Sequence, residues 1–446
     1  MNTVARLLEY IDNSTSPYHT VKASAEILKA NGFRELQLDD IWSFDYGAYF
    51  VKVYDTTLIA FYAGSDLRDS LRIASAHTDF PALRVKPNPI MSNKSYGQLN
   101  VEAYGGLILN TWLDRPLSMA GVVATRSDDP FHPELHYVDM ARPLLTIPNL
   151  AIHMNRSINE GVALDKQLHM MPLFMMLDGA EPMTITSHEG APVAKDDTTA
   201  VKADEWLQFL SEQVKRPVED ILSYELTLYP VEGGTTFGRY DEFISSPRID
   251  NLTSCMACLE GIVATKSLIP PDGLRLIALF DNEEVGSRTK QGGASTLLMQ
   301  ILERIYMATG HTKEELYADI AGGFMISADV AHGYHPNYPE KNDVTNVPVL
   351  NKGLVLKVAA SQSYAGDAWA MATVKDLCET NNIPYQIYVN RSNIPGGSTV
   401  GSISSAMLTM RTMDVGVPIL AMHSARETMG ANDQEALESL MRAFLR

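Results

Sequence analysis

The chain has 446 residues, too many for one ordinary hydrophobic core and enough for two domains. Its 45% hydrophobic and 20% charged fractions are those of a globular protein, and 36 Lys and Arg against 54 Asp and Glu leave a formal charge of −18. That balance argues against nucleic acid or an anionic membrane as a partner, because both need clustered basic side chains.

The N-terminal run mixes Leu7, Leu8, Tyr10 and Ile11 with Glu9 and Asp12, unlike a signal peptide. No stretch reaches the roughly 20 apolar residues of a membrane helix. Cys255, Cys258 and Cys378 are too few for a disulfide framework, so a reducing, cytoplasmic setting is expected. Cys255 and Cys258 have C-x-x-C spacing but fall in an apolar helical run, where core packing is the expectation.

Helical periodicity over 21–31 ends at Gly32, a good terminator. Strand-like runs follow at 48–54, 57–63 and 70–76, the last leading into His77-Thr78-Asp79. From 91 to 237 the texture changes. Short strands are expected at 106–111, 121–125 and 224–229, and the methionine-rich stretch 167–176 suits a helix. Beyond 237, apolar runs at 274–280, 323–328, 385–390 and 417–422 alternate with helical patterns at 251–267, 294–309, 368–381, 399–410 and 433–445. This alternation predicts an α/β fold with a mixed sheet covered by helices on both faces. The expected organisation is one α/β domain in two parts, 1–90 and 238–446, interrupted by a strand-rich insertion over 91–237.

Five strands or loops finish on a residue able to bind metal: His77, Asp250 (after the run 244–249), Glu284, Asp329 and His423. Ligands of open α/β sheets bind outside the carboxyl ends of the strands, so strands sharing one sheet would bring these side chains to one rim. Two histidines and three carboxylates suit two zinc ions, with one carboxylate bridging and one histidine and one further carboxylate on each metal. In Asp281-Asn282-Glu283-Glu284, neighbouring side chains point in different directions. One Glu can then bind metal while the other acts as general base. Residues i and i+2 of an extended segment share a face, so Asp79 is placed to orient the His77 ring.

These residues lie within motifs that resemble the aspartyl aminopeptidases, the M18 metallo-aminopeptidase family. The matching segments include Ser16-Pro17-Tyr18-His19, Ser75-Ala76-His77-Thr78-Asp79, Thr111-Trp112-Leu113-Asp114-Arg115 and Ile147-Pro148-Asn149-Leu150-Ala151-Ile152-His153. They continue with Pro247-Arg248-Ile249-Asp250-Asn251, Phe280-Asp281-Asn282-Glu283-Glu284-Val285-Gly286-Ser287, Ser327-Ala328-Asp329-Val330-Ala331-His332, Gly397-Ser398-Thr399 and Met422-His423-Ser424. The resemblance implies an aminopeptidase acting on short peptides, with a preference for acidic N-termini and two zinc ions per subunit, manganese or cobalt being alternatives at one site. It implies His77, Asp250 and Asp329 as ligands of one metal and Asp250, Glu284 and His423 as ligands of the other, with Asp250 the bridge. Glu283 is implied as the catalytic base and Asp79 as the residue orienting His77. Around the substrate it implies His332, Tyr364, Lys357 for an acidic side chain, and His153 reaching into a partner subunit's site.

Three positions depart from the family's pattern. Phe80 stands where Ser is common, Gly396 where Cys is common, and Pro116 replaces an acidic residue. Phe80, beside the metal loop, bears on the substrate pocket. His335, in His335-Pro336-Asn337-Tyr338, belongs to the same resemblance, whereas His19, His132, His136, His169, His188 and His311 read as surface or core residues. An insertion this large gains by burying surface against a second copy, and the resemblance implies dimers assembled into a dodecamer. Two other readings are a deacylase or carboxypeptidase on the same scaffold, and a self-assembling shell. A shell has no physical need for a base beside a metal.

Overall fold

The computed structural model describes residues 2–177, 198–266 and 272–446, with backbone alone for 198–204; His188 lies outside the described residues. The chain falls into two compact units, Met1–Phe80 with Gly234–Arg446, and Pro81–Gly233.

The first unit is built on a nine-stranded mixed sheet. In spatial order its strands are Arg34–Leu36, Gly47–Val53, Thr57–Ala63, Leu274–Phe280, Leu71–His77, Phe324–Ala328, Arg411–Gly416, Leu354–Val358 and Tyr385–Val389. The central strands Leu274–Phe280, Leu71–His77, Phe324–Ala328 and Arg411–Gly416 run parallel to one another. Alternation along them divides the core. Ala74, Ala76, Ile277, Leu279 and Ile326 pack with the helices Thr3–Asp12, Pro17–Ala30, Ile249–Ala264, Ala368–Thr380 and Asp433–Leu445. Ile73, Leu276, Ala278, Phe280 and Met325 pack with Leu297–Ala308, Lys313–Gly322 and Val400–Leu408. Both faces are therefore covered, which is why these strands read as continuous apolar runs.

The same unit holds a smaller sheet the sequence did not reveal. Its strands, in order, are Thr235–Phe237, Phe243–Ser246, Glu427–Gly430, Pro418–Leu420 and Ala331–His332. The run expected at 417–422 is thus no strand of the large sheet. After Gly416 the chain leaves it, and Pro418–Leu420 pairs with Glu427–Gly430 instead. Gly416 is required at that exit, because a Cβ there would collide with the carbonyl of Asp329.

The second unit is a six-stranded antiparallel sheet in the order Glu134–Asp139, Leu117–Thr125, Ile221–Pro230, Ala82–Asn93, Tyr96–Tyr104 and Leu173–Met176. Two expectations fail here. The run 106–111 is not a strand: Gly105 turns the chain at positive φ and Leu109–Trp112 forms a 3-10 turn. The stretch 167–176 is not a helix, because Pro172 interrupts it. Asp165 closes a turn before the proline by accepting the N–H groups of Gln167 and Leu168, and Leu173–Met176 pairs with Tyr96–Tyr104 after it. Among the described residues, no helix is long and apolar enough to cross a membrane.

Candidate metal centre

Parallel strands end at one rim, and register brings three candidate groups there. Phe280 lies opposite His77, so the segment beginning at Asp281 starts beside it. Ser327 pairs with Ser75, which places Asp329 at the level of His77 on the other side. The N–H of Asp329 donates to Val415 O at 2.9 Å, holding this segment to the next strand.

The other two candidates reach the rim from outside the large sheet, contrary to the one-sheet expectation. Asp250 stands at the head of the helix Ile249–Ala264, with non-helical backbone, and the Asp250–Asn251 peptide is cis. Asn251 Nδ2 donates to Ala328 O at 2.8 Å, tying this corner to the strand that leads to Asp329. His423 follows Pro418–Leu420 of the smaller sheet and sits at φ +66°.

Five side chains and Glu283 converge on one cavity of about 450 Å³. His77 Nε2 lies 3.4 Å from Asp250 Oδ1, 3.6 Å from Asp329 Oδ1 and 3.9 Å from Glu283 Oε2. His423 Nε2 lies 3.4 Å from Asp250 Oδ2 and 3.6 Å from Glu284 Oε2. Ligand atoms of His77, Asp250 and Glu284 fall within 4.8 Å of one another. Asp250 thus turns one oxygen to each histidine.

Asp79 meets His77 through two of its oxygens. His77 Nδ1 donates to the carbonyl of Asp79 at 3.0 Å, with the carboxylate oxygen Oδ1 at 3.4 Å. A carbonyl only accepts, so the Nδ1–H tautomer is fixed and Nε2 is left to face the carboxylates. The Asp79 carboxylate has a further task that sequence spacing did not suggest: it accepts the main-chain N–H groups of Glu283 and Glu284, each at 3.1 Å. Asn282, at φ +63°, makes the sharp turn that parts the two glutamates.

The electrostatics describe a site with an excess of buried negative charge. Burial pushes the Glu283 carboxyl up to about 8; His77 opposes this, while Asp329, Asp79 and Asp250 add to it. Glu284 is raised by burial and by Asp250. Asp250 moves the other way. Burial disfavours its charge, yet the flanking imidazoles of His423 and His77 hold it well below the usual range. Burial also disfavours the charged histidines, but Asp250 raises both, His423 to about 10. Asp250 Oδ1 is fully buried with no hydrogen-bond partner. Nitrogen and carboxylate donors, excess negative charge and an oxygen lacking a partner together fit zinc.

Of the residues expected around the substrate, three line this cavity: His332, Lys357 and Tyr364. Lys357 is 1% exposed, a burial that lysines rarely reach unless paired. Its ammonium donates to Val330 O at 3.1 Å, lies 3.7 Å from Asp329 Oδ2 and sits 5.1 Å from the Tyr364 ring centroid. His332 packs on Tyr388, ring centroids 5.8 Å apart. His153 belongs to the other unit, where it is exposed in a turn closed by the Met154 N–H to Ala151 O bond. Phe80 is buried with the Arg248 guanidinium over its ring. Cys255 and Cys258 are buried free thiols, as expected, with Cys255 Sγ donating to His77 O at 2.9 Å.

Residues 10–445 match the family described as Aminopeptidase I zinc metalloprotease (M18). The chain belongs to the M18 family of zinc aminopeptidases. It is 40% identical over 431 residues to the probable M18 family aminopeptidase 2 of Clostridium novyi (strain NT), covering 96% of this chain and 94% of that one. It is 35% identical to aspartyl aminopeptidase 4 of Saccharomyces cerevisiae, covering 98% and 93%. Among solved structures, Ape4 in a cryo-EM complex with Nbr1 is 32% identical with a TM-score of 0.91, covering 99% of this chain and 85% of that one. The dodecamer of mApe1 from S. cerevisiae has a TM-score of 0.82 at 24% identity, covering 99% and 95%, a likeness of fold. The chain is accordingly a zinc metalloprotease that removes N-terminal residues.

Proposed function

We propose that this aminopeptidase works with two zinc ions held in adjoining sites that share Asp250. His77 and Asp329 complete one site; Glu284 and His423 complete the other. The observation that carries this reading is the placing of Asp250 Oδ1 and Oδ2 each 3.4 Å from a different histidine. Zinc at such a site polarises the scissile carbonyl and lowers the pKa of a water.

Glu283 serves as the general base. It is parted from its neighbour Glu284 by the turn at Asn282, and Asp79 fixes its main chain. Its carboxylate takes a proton from the attacking water and returns it to the departing amine. With zinc on Nε2, His77 would be neutral, its Nδ1–H committed to the Asp79 carbonyl, and so would not itself move protons. Lys357 supplies a buried ammonium at the cavity wall and selects Asp or Glu as the residue removed, the preference carried in the name of the yeast relative. His332 and Tyr364 frame the same wall.

The strand-rich unit pairs two copies, and dimers assemble further, as the mApe1 dodecamer does. His153, exposed in its turn, reaches the partner's site. Substrates are short peptides. Three buried free thiols suit a reducing, cytoplasmic setting.

A panel of aminoacyl reporter substrates tests this function, assayed after chelation and after return of Zn²⁺, Mn²⁺ or Co²⁺. Loss with chelator, recovery with zinc and fastest release of Asp or Glu are expected. Equal cleavage of N-acetylated and free peptides would contradict an aminopeptidase mechanism.

A further inference from the structure

The smaller sheet carries a buried acid to which neither the metal chemistry nor the family motifs assign a role. Glu427 opens the strand Glu427–Gly430 and is 2% exposed. Its two oxygens are divided between two ligand segments. Oε2 accepts the main-chain N–H of Asp250 at 3.0 Å, and Oε1 accepts that of His423 at 2.9 Å.

The topology explains how one side chain reaches both. Glu427–Gly430 is the middle strand, flanked by Phe243–Ser246 and Pro418–Leu420. Ser246 pairs with Glu427, and four residues later that chain reaches Asp250. Leu420 pairs with Thr428, and three residues later its chain reaches His423. Both ligand segments run off the sheet's edge on either side of Glu427. Each is irregular there: Asp250 has broken from helical geometry, and His423 is a non-glycine residue at positive φ. The positive φ of His423 persists only where its surroundings hold it. A side chain whose two oxygens each accept a main-chain N–H in a dry site is a strong restraint, because those donors have no water to take its place.

We infer that Glu427 is a positioning residue that fixes the separation of Asp250 from His423 and so sets the affinity of the zinc site those two share with Glu284. This rests on the ligand assignment proposed above. Glu427 touches neither metal nor substrate; it acts through two main-chain N–H groups. Asp79 does the equivalent for Glu283 and Glu284 from the large sheet, so each half of the centre has its own buried acid.

Zinc titration of the apo protein against a competing chelator tests the inference without reference to turnover. Wild type should bind two zinc ions per chain. Glu427→Gln keeps the volume but sets an amide N–H₂ against one of the two donors. It should bind the zinc shared by Asp250, Glu284 and His423 about 10–100-fold more weakly, the usual effect of a lost supporting contact, and the zinc of His77 and Asp329, which depends on Glu427 through Asp250 alone, less weakly than that. Glu427→Asp, a carboxylate one methylene short, should weaken the same site and serves if the Gln variant does not fold. Two native affinities in either folded variant would overturn the role of Glu427. Fewer than two zinc ions on wild type, or two retained by Asp250→Ala, would overturn the ligand assignment beneath it.

Discussion

Asp79 Oδ1 accepts the main-chain N–H of Glu283 at 3.1 Å, so the residue that sets the His77 tautomer through its carbonyl also anchors the candidate base through its carboxylate. One side chain couples the orientation of the proposed metal ligand His77 to the placing of the proposed base Glu283. Glu283→Gln should therefore retain both zinc ions while kcat falls by about two orders of magnitude or more, the range for a lost general base. Metal analysis beside steady-state rates checks this, and near-native turnover with full metal would remove Glu283 from the role. Glu284→Gln should lose zinc and activity together.

Lys357 should divide substrates by charge. Its ammonium is buried and lines the cavity, so losing it should cost acidic substrates about 2–5 kcal/mol of transition-state binding. Lys357→Met, which keeps the apolar stem, should depress kcat/KM for Asp and Glu substrates and leave Leu and Ala substrates nearly unchanged. Equal loss for all substrates would assign Lys357 to structure. A wild-type preference for neutral residues would point instead to a pocket shaped by Phe80.

His153 should act in trans. Mixing His153→Ala chains with Glu283→Gln chains, each nearly inactive alone, should restore part of the activity once subunits exchange, because one site in a mixed dimer is then complete. Proven exchange with no recovery would exclude a shared site. A monomer by sedimentation at micromolar concentration would exclude the assembly.

Asp433 gives the fold a pH dependence separate from the metal centre. It accepts the N–H groups of Asn351 and Gly353 at 2.7 and 2.9 Å, and burial, outweighing those bonds, pushes its carboxyl up to about 7. A raised acid holds a proton in the folded state that the unfolded chain has released. Stability therefore falls as pH rises from about 4 to about 7, by at most about 1.4 kcal/mol per pH unit. Asp433→Asn should gain stability relative to wild type as pH moves from 5 to 8, read from denaturant midpoints. A difference constant with pH would contradict the shift.

Much of this was legible in the sequence because parallel strands buried on both faces write themselves as apolar runs, and His77, Glu284 and Asp329 mark where three of them stop. Asp250 and His423 were legible as ligand types but not by location, since no periodicity tells which sheet a short strand joins. The strand Pro418–Leu420 reads as a continuation of Arg411–Gly416 although it pairs elsewhere. Glu427 gave no signal, because a single Glu beside Arg426 looks like a solvated pair until both its oxygens are found on main-chain N–H groups. Lys357 likewise sits in a run whose burial becomes evident only with the strands on either side. The helix Lys313–Gly322 carries its own signal in the sequence, the capping box of Thr312 and Glu315.

Everything in the proposed mechanism depends on Asp250 being shared by two zinc ions. Anomalous diffraction at the zinc edge from crystals of the zinc-loaded protein addresses it directly. Two peaks per chain are predicted, one beside Asp250 Oδ1, His77 and Asp329, the other beside Asp250 Oδ2, Glu284 and His423. A single peak, or two that leave Asp250 bound to only one, would contradict the account.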